Sequence, residues 1–173
     1  MRAPAWEQEY CDFFEARRRP LLRTAHAILG SWPAAEDATQ QTFVQMYVHW
    51  PRIQKVAVDS YARRVLVNTC FSSLRKGRNE VLADSLPEPV APESDPETEQ
   101  RLDLEAALRR LSARDRAVLA LRFLDDLPVA VVAEVLELPE GTVKSQTSRA
   151  LGRLEDLIAE PHTQGHLSER SSS

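Results

Sequence analysis

Two groups of side chains in this sequence have the types and spacing to contact a polyanion. Lys144, Ser145, Ser148 and Arg149, with Gln146 nearby, lie opposite a stripe made by Val143, Thr147, Ala150, Leu151, Leu154, Leu157 and Ile158. Steps of three and four residues are the period of a one-sided helix. One face would be apolar, and the other would carry hydroxyls, an amide and cations. The preceding run repeats the step at Val129, Val132, Ala133 and Leu136. Pro139 sits where the second helix would begin, a position that tolerates the missing N–H and suits the fixed φ. Two short helices joined by a tight turn can place the start of the second one in a major groove, against base edges. The same spacing also fits a solvated face on an ordinary helical hairpin, and periodicity alone does not separate the two.

The second group is a basic stripe. From Arg63 to Arg78 there are five cations (Arg63, Arg64, Arg75, Lys76 and Arg78) and no acid. The chain as a whole is acidic, with a net charge of −4, but its charge is unevenly placed. Residues 1–79 hold 12 basic and 7 acidic side chains, whereas residues 80–105 hold 1 and 9. A local stripe, rather than net charge, is the electrostatic footprint of a nucleic-acid surface. A solvated face is the commoner origin of a charge run, but sixteen residues without an acid favour phosphate contacts. Asn68 lies inside the stripe and can both donate to and accept from a base edge.

Other chemistries find no support. No Ser/His/Asp or Cys/His constellation suggests an enzyme. Cys11 and Cys70 are far apart, and His26, His49, His162 and His166 form no metal-ligand spacing, so no metal or other cofactor is expected. No apolar run approaches a membrane span, and the start lacks the apolar segment of a signal peptide. The cytoplasm is the expected compartment.

These side chains need helices to hold them, and the whole chain reads as all-α. One or two helices cover about Ala5 to Leu29, with Pro20 as a break or restart and Gly30 as the stop. Ser31-Trp32-Pro33 opens a second helix to about Trp50, with Glu36 and Asp37 near its positive end. A third runs from Ser60 to about Lys76. Leu86 to Pro96 has four prolines in eleven residues and almost nothing to bury, so it reads as an extended linker. Beyond it, a helix spans about Arg101 to Leu111, and Ser112 with Asp115 resembles a capping box for another reaching Leu124. The two helices of the turn motif follow. The expected organisation is two small helical domains, 5–79 and 101–160, joined by a flexible acidic linker, 80–100, with a disordered tail, 161–173.

Four segments carry a family resemblance. Ala35-Glu36-Asp37-Ala38-Thr39-Gln40-Gln41-Thr42-Phe43 resembles the core-binding helix of bacterial sigma factors. Tyr61-Ala62-Arg63-Arg64-Val65-Leu66-Val67-Asn68 is similar to the helix that follows it, with its characteristic Asn. Leu111 to Leu119 and Glu140-Gly141-Thr142-Val143-Lys144-Ser145 resemble the C-terminal domain of the same family. Each motif alone is weak, but the four in order are specific. Their order, the proline-rich gap and the lack of a middle domain resemble the group-four, or extracytoplasmic-function, sigma factors, over about residues 8 to 158. Three positions depart from the pattern. Glu137 stands where the turn often has Gly, Ser72 and Ser73 replace an acid, and Pro128 replaces a hydroxyl cap.

The resemblance implies a non-catalytic adaptor with core RNA polymerase and promoter DNA as partners, and an anti-sigma factor as a further one. It places core-polymerase binding on Glu36, Asp37, Gln40 and Phe43, with Phe43 as an aromatic anchor. Without the resemblance, the residues alone favour the plainer reading, in which Glu36 and Asp37 merely suit the helix N-terminus and Phe43 is core. It places minus-ten DNA on Arg63, Arg64, Asn68, Arg75, Lys76 and Arg78. Phosphates would go to the cations, and a base that has left the stack to Asn68. It places minus-thirty-five DNA on Thr142, Lys144, Ser145, Gln146, Ser148 and Arg149, with Leu124, Leu136, Val143 and Leu154 as core. The rival readings are a conventional helix-turn-helix regulator that acts without polymerase, and a helical protein-interaction module that never meets DNA.

Overall fold

In the computed structural model, residues 4–80 and 96–160 are described, the side chains at 78–80 excepted. The first helix, α1 (Glu7–Leu29), is continuous through Pro20, so the expected break does not occur. Pro20 cannot donate to the carbonyl four residues back, yet Leu21, Thr24, Ala25 and Ile28 bury one face beyond it and keep the helix in line. Gly30 ends α1 in the left-handed region at φ 70°, with its N–H on the His26 carbonyl at 2.7 Å. That conformation suits a residue without Cβ. Ser31 caps α2 (Trp32–His49), its Oγ accepting from the Ala34 N–H at 3.4 Å. Two 3₁₀ turns, Trp50–Arg52 and Lys55–Ala57, lead into α3 (Val58–Glu80), which is longer at both ends than the spacing suggested.

After residues 81–95, which lie outside the described part, α4 (Pro96–Arg110) begins inside the stretch expected to be linker. Pro96 is tolerated at a first helical position, and Glu97 and Glu99 complement the positive helix end. The expected tail, 161–173, also lies outside the described residues. Ser112 caps α5 (Ala113–Leu119) by accepting from the Asp115 N–H at 3.1 Å. The reciprocal half of a capping box is missing, because the Asp115 carboxylate instead pairs with Arg153. The helix continues as a π-helical turn, Ala120–Leu124. The helix-turn-helix is α6 (Val129–Leu136) and α7 (Glu140–Ala159). Glu137 between them has φ 55° and ψ 45°, so a side chain occupies the left-handed position usually given to glycine.

No strand occurs among the described residues, and none of their helices is long and apolar enough to cross a membrane. Two apolar cores hold the helices. Leu111, Leu119 and Ala150, with Leu108, Leu151, Leu154 and Leu157 against them, join α4, α5 and α7. The larger core begins in α1, α2 and α3 and continues into the C-terminal helices through Ala117, Leu121, Val132, Ala133, Val135 and Val143. The N- and C-terminal helices therefore share one buried cluster, which the reading of two linked domains did not foresee.

Candidate nucleic-acid interface

The face of α7 is arranged as its spacing implied. Lys144, Ser145, Ser148 and Arg149 are exposed, whereas Val143 and Ala150 are buried beneath them. Arg149 lies along its own helix, its Nε donating to the Ser145 carbonyl at 3.3 Å and its Nη2 to Ser145 Oγ at 3.4 Å. Its guanidinium is thus steered by the helix while its remaining donors face solvent. Thr142 and Gln146 are only half-exposed, and Gln146 Oε1 is buried with no hydrogen-bond partner. Those two sit at the margin of the face. Leu136 and Leu154 are partly buried and Val143 fully so, but Leu124 is 44% exposed and does not belong to the core. The π-helical turn rotates it outward relative to the α-helical register that its spacing assumed.

On α3 the basic residues divide between two faces. Arg64, Asn68, Ser72 and Arg75 follow one another at three- and four-residue steps and share one side of the helix. Asn68, Arg75 and Lys76 are exposed. Arg63 points elsewhere. Its side chain is 14% exposed, and Nε donates to Asp125 at 3.1 Å, with Asp59 one turn back. Its expected place on the DNA-facing stripe is therefore corrected: in this structure it is an internal ion pair. Arg64 is partly covered as well, its Nη2 donating to the Glu134 carbonyl at 3.2 Å. The Arg78 side chain lies outside the described residues.

Beside Asn68 is a recess of about 330 Å³ lined by Gln41, Gln45, Val65, Asn68, Thr69, Ser72 and Lys76. It is walled on one side by α2, and its amides, hydroxyls and ammonium could hydrogen-bond several sides of a planar heterocycle. Gln41, Gln45 and Ser72 were not among the residues chosen from sequence. The signal for the two glutamines was their spacing of four on α2, which puts both on one side of that helix.

The solvent side of α2 carries Glu36, Asp37 and Gln40, all exposed. Next to them Val44 and Val48 are 63% and 67% exposed, an apolar step on an otherwise polar face. Asp37, Gln40, Gln41, Val44 and Gln45 line a shallow recess there. Phe43 is turned the other way. It is 3% exposed and packs edge-on against Phe14 at 4.6 Å, so the expected anchor is a core ring and cannot reach a partner.

Comparison with known proteins gives consistent matches along the chain. Residues 13–80 match the family described as Sigma-70 region 2, and residues 101–154 match Sigma-70, region 4. The RNA polymerase sigma-E factor of Streptomyces coelicolor is 32% identical over 154 residues, covering 87% of each chain. The ECF RNA polymerase sigma factor SigM of Mycobacterium tuberculosis is 29% identical over 150 residues, covering 85% of this chain and 76% of that one. In fold, the chain is similar to the sigma factor RpoE in a complex with the anti-sigma factor NepR from Bartonella quintana. The TM-score is 0.73 at 22% identity, covering 89% of this chain and 99% of that one. CnrH, solved in complex with the cytosolic domain of CnrY, superposes with a TM-score of 0.67 at 17% identity, over 88% of each chain.

Proposed function

Because this chain belongs to the extracytoplasmic-function sigma factors of the sigma-70 family, we propose that it binds core RNA polymerase and directs it to a specific class of promoter. Sigma factors are non-catalytic initiation factors, and the work assigned to this chain is recognition. We take residues 5–79 as the unit that binds polymerase and the minus-ten element, and residues 101–160 as the unit that reads the minus-thirty-five element.

The observation that carries this reading is the solvent face of α2. Asp37 and Gln40 stand beside Val44 and Val48, which are large, apolar and exposed. Such a mixture fits a partner surface with basic residues around an apolar centre: the carboxylates give orientation, and burial of the valines gives affinity. With Phe43 inside, Val44 and Val48 take the apolar role there.

Two further faces complete the adaptor. On α7, Lys144 and Arg149 would meet guanine edges or phosphates of duplex DNA, with Ser145 and Ser148 as shorter contacts. On α3, Arg64, Arg75 and Lys76 would follow the backbone of a separated strand while the recess at Asn68 holds an unstacked base. Unstacking costs a few kcal/mol, and polar contacts within a ready recess offset it. An anti-sigma factor is a further proposed partner, since the sigma factor RpoE of similar fold is solved in complex with the anti-sigma factor NepR.

Transcription with purified core polymerase, followed by start-site mapping, tests the reading. A double variant, Asp37→Ala with Gln40→Ala, is expected to stay folded by circular dichroism and to lose retention on immobilised core enzyme. Undiminished retention of the folded variant would move the polymerase interface away from α2.

A further inference from the structure

A second group of cations gathers away from α3 and α7. On α1, His26 lies three residues after Arg23; on α4, Glu105 and Arg109 lie four and eight residues after Arg101. Those steps keep each set on one side of its helix. Together with Trp32 and Arg116 they line a recess of about 410 Å³, within the span of about 300–1,000 Å³ usual for small organic ligands. Its charge is unbalanced. Among the described residues that line it, Glu105 is the single acid, 3.8 Å from Arg109. Arg23 and Arg101 are exposed and make no ion pair with any described residue. Arg116 is partly buried, with Nε on the Ile28 carbonyl at 2.7 Å and Nη1 on the Leu111 carbonyl at 2.6 Å, and neither bond uses its Nη2.

An aromatic shelf borders the same recess. The Trp32 indole is stacked on the His26 ring, with centroids 3.8 Å apart and planes 12° from parallel, yet Trp32 remains 50% exposed. Burial, the largest influence, lowers the His26 pKa from its ordinary value; Glu105 raises it and Arg109 lowers it. The imidazole is therefore neutral at pH 7 and adds no charge to the recess. One face of the indole rests on a flat neutral ring, and its exposed surface can take another.

We propose that this recess binds a nucleoside diphosphate, with the base stacked on Trp32 and the phosphates held by Arg23, Arg101, Arg109 and Arg116. Guanidinium groups match phosphate oxygens in geometry and charge, and an indole accepts the face of any base. A bare phosphate would leave the aromatic shelf unused, and an uncharged ring would leave the cations unopposed. None of the lining residues carries an amide or a hydroxyl. The base is therefore held by its face rather than read along its edge, and adenine and guanine should be accepted alike. The recess shares no residue with the promoter-reading faces of α3 and α7, and nucleotide binding does not depend on promoter recognition.

Calorimetric titration of the full chain with ADP, GDP, adenosine and inorganic pyrophosphate tests the site. ADP and GDP are expected to bind equally, and adenosine and pyrophosphate more weakly, since each fills half of the recess. Arg23→Ala with Arg101→Ala removes two exposed cations and is expected to weaken ADP binding about tenfold or more. Trp32→Leu keeps an apolar side chain without the ring. It is expected to weaken ADP about 5- to 150-fold and to leave pyrophosphate binding unchanged. Lys144→Ala with Arg149→Ala strips the α7 face and is expected to hold ADP affinity within about twofold of the wild type. Circular dichroism checks that each variant is folded. Should Trp32→Leu lose helicity, quenching of wild-type indole fluorescence by ADP and not by pyrophosphate reads the same contact. Absence of ADP binding, or binding lost in the α7 variant and kept in the Arg23 and Arg101 variant, overturns the site. Equal affinity for ADP and pyrophosphate, indifferent to Trp32→Leu, overturns the nucleotide assignment in favour of a bare polyphosphate.

Discussion

The Tyr10 hydroxyl donates to the backbone carbonyl of Phe43 at 2.9 Å, pinning α1 to α2 where the Phe43 ring turns into the core. Phe13 and Phe14 meet the same ring edge-on, with centroids 6.3 and 4.6 Å away. Phe43 therefore contributes to stability. Phe43→Ala is expected to lower the unfolding free energy by about 3–5 kcal/mol, and Tyr10→Phe by about 1 kcal/mol. Exposed Gln40→Ala should stay within about 0.5 kcal/mol of the wild type. Urea unfolding followed by circular dichroism measures all three, and a stable Phe43→Ala protein would return that residue to the surface.

Glu137 offers a stabilising change. A side chain in the left-handed region costs about 1–2 kcal/mol, and glycine's greater freedom in the unfolded chain takes back about 0.5–1 kcal/mol. Glu137→Gly is therefore expected to raise stability by up to about 1.5 kcal/mol, provided the turn keeps its shape. A lower melting temperature for this variant contradicts that account.

Burial pushes the Cys70 thiol up to about 12 from its ordinary 9.0. The folded state thus holds the proton more tightly than the unfolded chain does. Its contribution to stability is complete below pH 9 and is lost progressively as pH rises from 9 toward 12. Unfolding measured from pH 8 to 11 should show an alkaline loss for the wild type that exceeds the loss for Cys70→Ala. In native protein a thiol reagent should modify exposed Cys11 and spare Cys70. Equal labelling of the two cysteines argues that α3 opens readily.

Asn68→Ala should leave capture of duplex promoter largely intact and slow its opening, because a base edge reaches α3 only after unstacking. A template already mismatched at the minus-ten element should recover part of the rate. Permanganate reactivity on matched and mismatched templates reads this, and normal opening of the matched template by the variant leaves Asn68 as a solvated helix residue.

Lys144→Ala and Arg149→Ala distinguish base contacts from phosphate contacts. Loss of a bidentate guanine contact costs about 1–3 kcal/mol and relaxes preference at one position. Loss of a phosphate contact weakens every sequence alike and lowers the salt dependence. Transcription from a library of upstream elements at two salt concentrations shows which applies. If neither substitution changes the output, α7 is not the recognition helix.

Much of the architecture was readable locally. Ser31 and Ser112 cap the helices they precede, Gly30 ends α1, and Glu137, which stands where the turn often has glycine, adopts a positive φ. The exposed face of α7 followed from its period. Pro20 was misleading because local propensity counts one lost hydrogen bond, whereas burial along Leu21, Ala25 and Ile28 outweighs it. Leu124 was misleading because a π-helical turn shifts the register after Ala120, and composition gives no sign of it.

By itself the sequence determined the helices, their caps and the side chains that could meet a polyanion, because these depend on neighbours within about one turn. Tertiary structure alone decided which of those side chains are available. Phe43 and Val44 are adjacent in the chain, yet packing buries one and exposes the other. Arg63 and Arg64 belong to one basic run, yet Arg63 is bound to a carboxylate 62 residues away. Period and charge fix the direction of a side chain about its own helix. Its partner depends on the long-range fit of helices around a shared core, where a buried charge must find a counter-charge wherever the chain brings one.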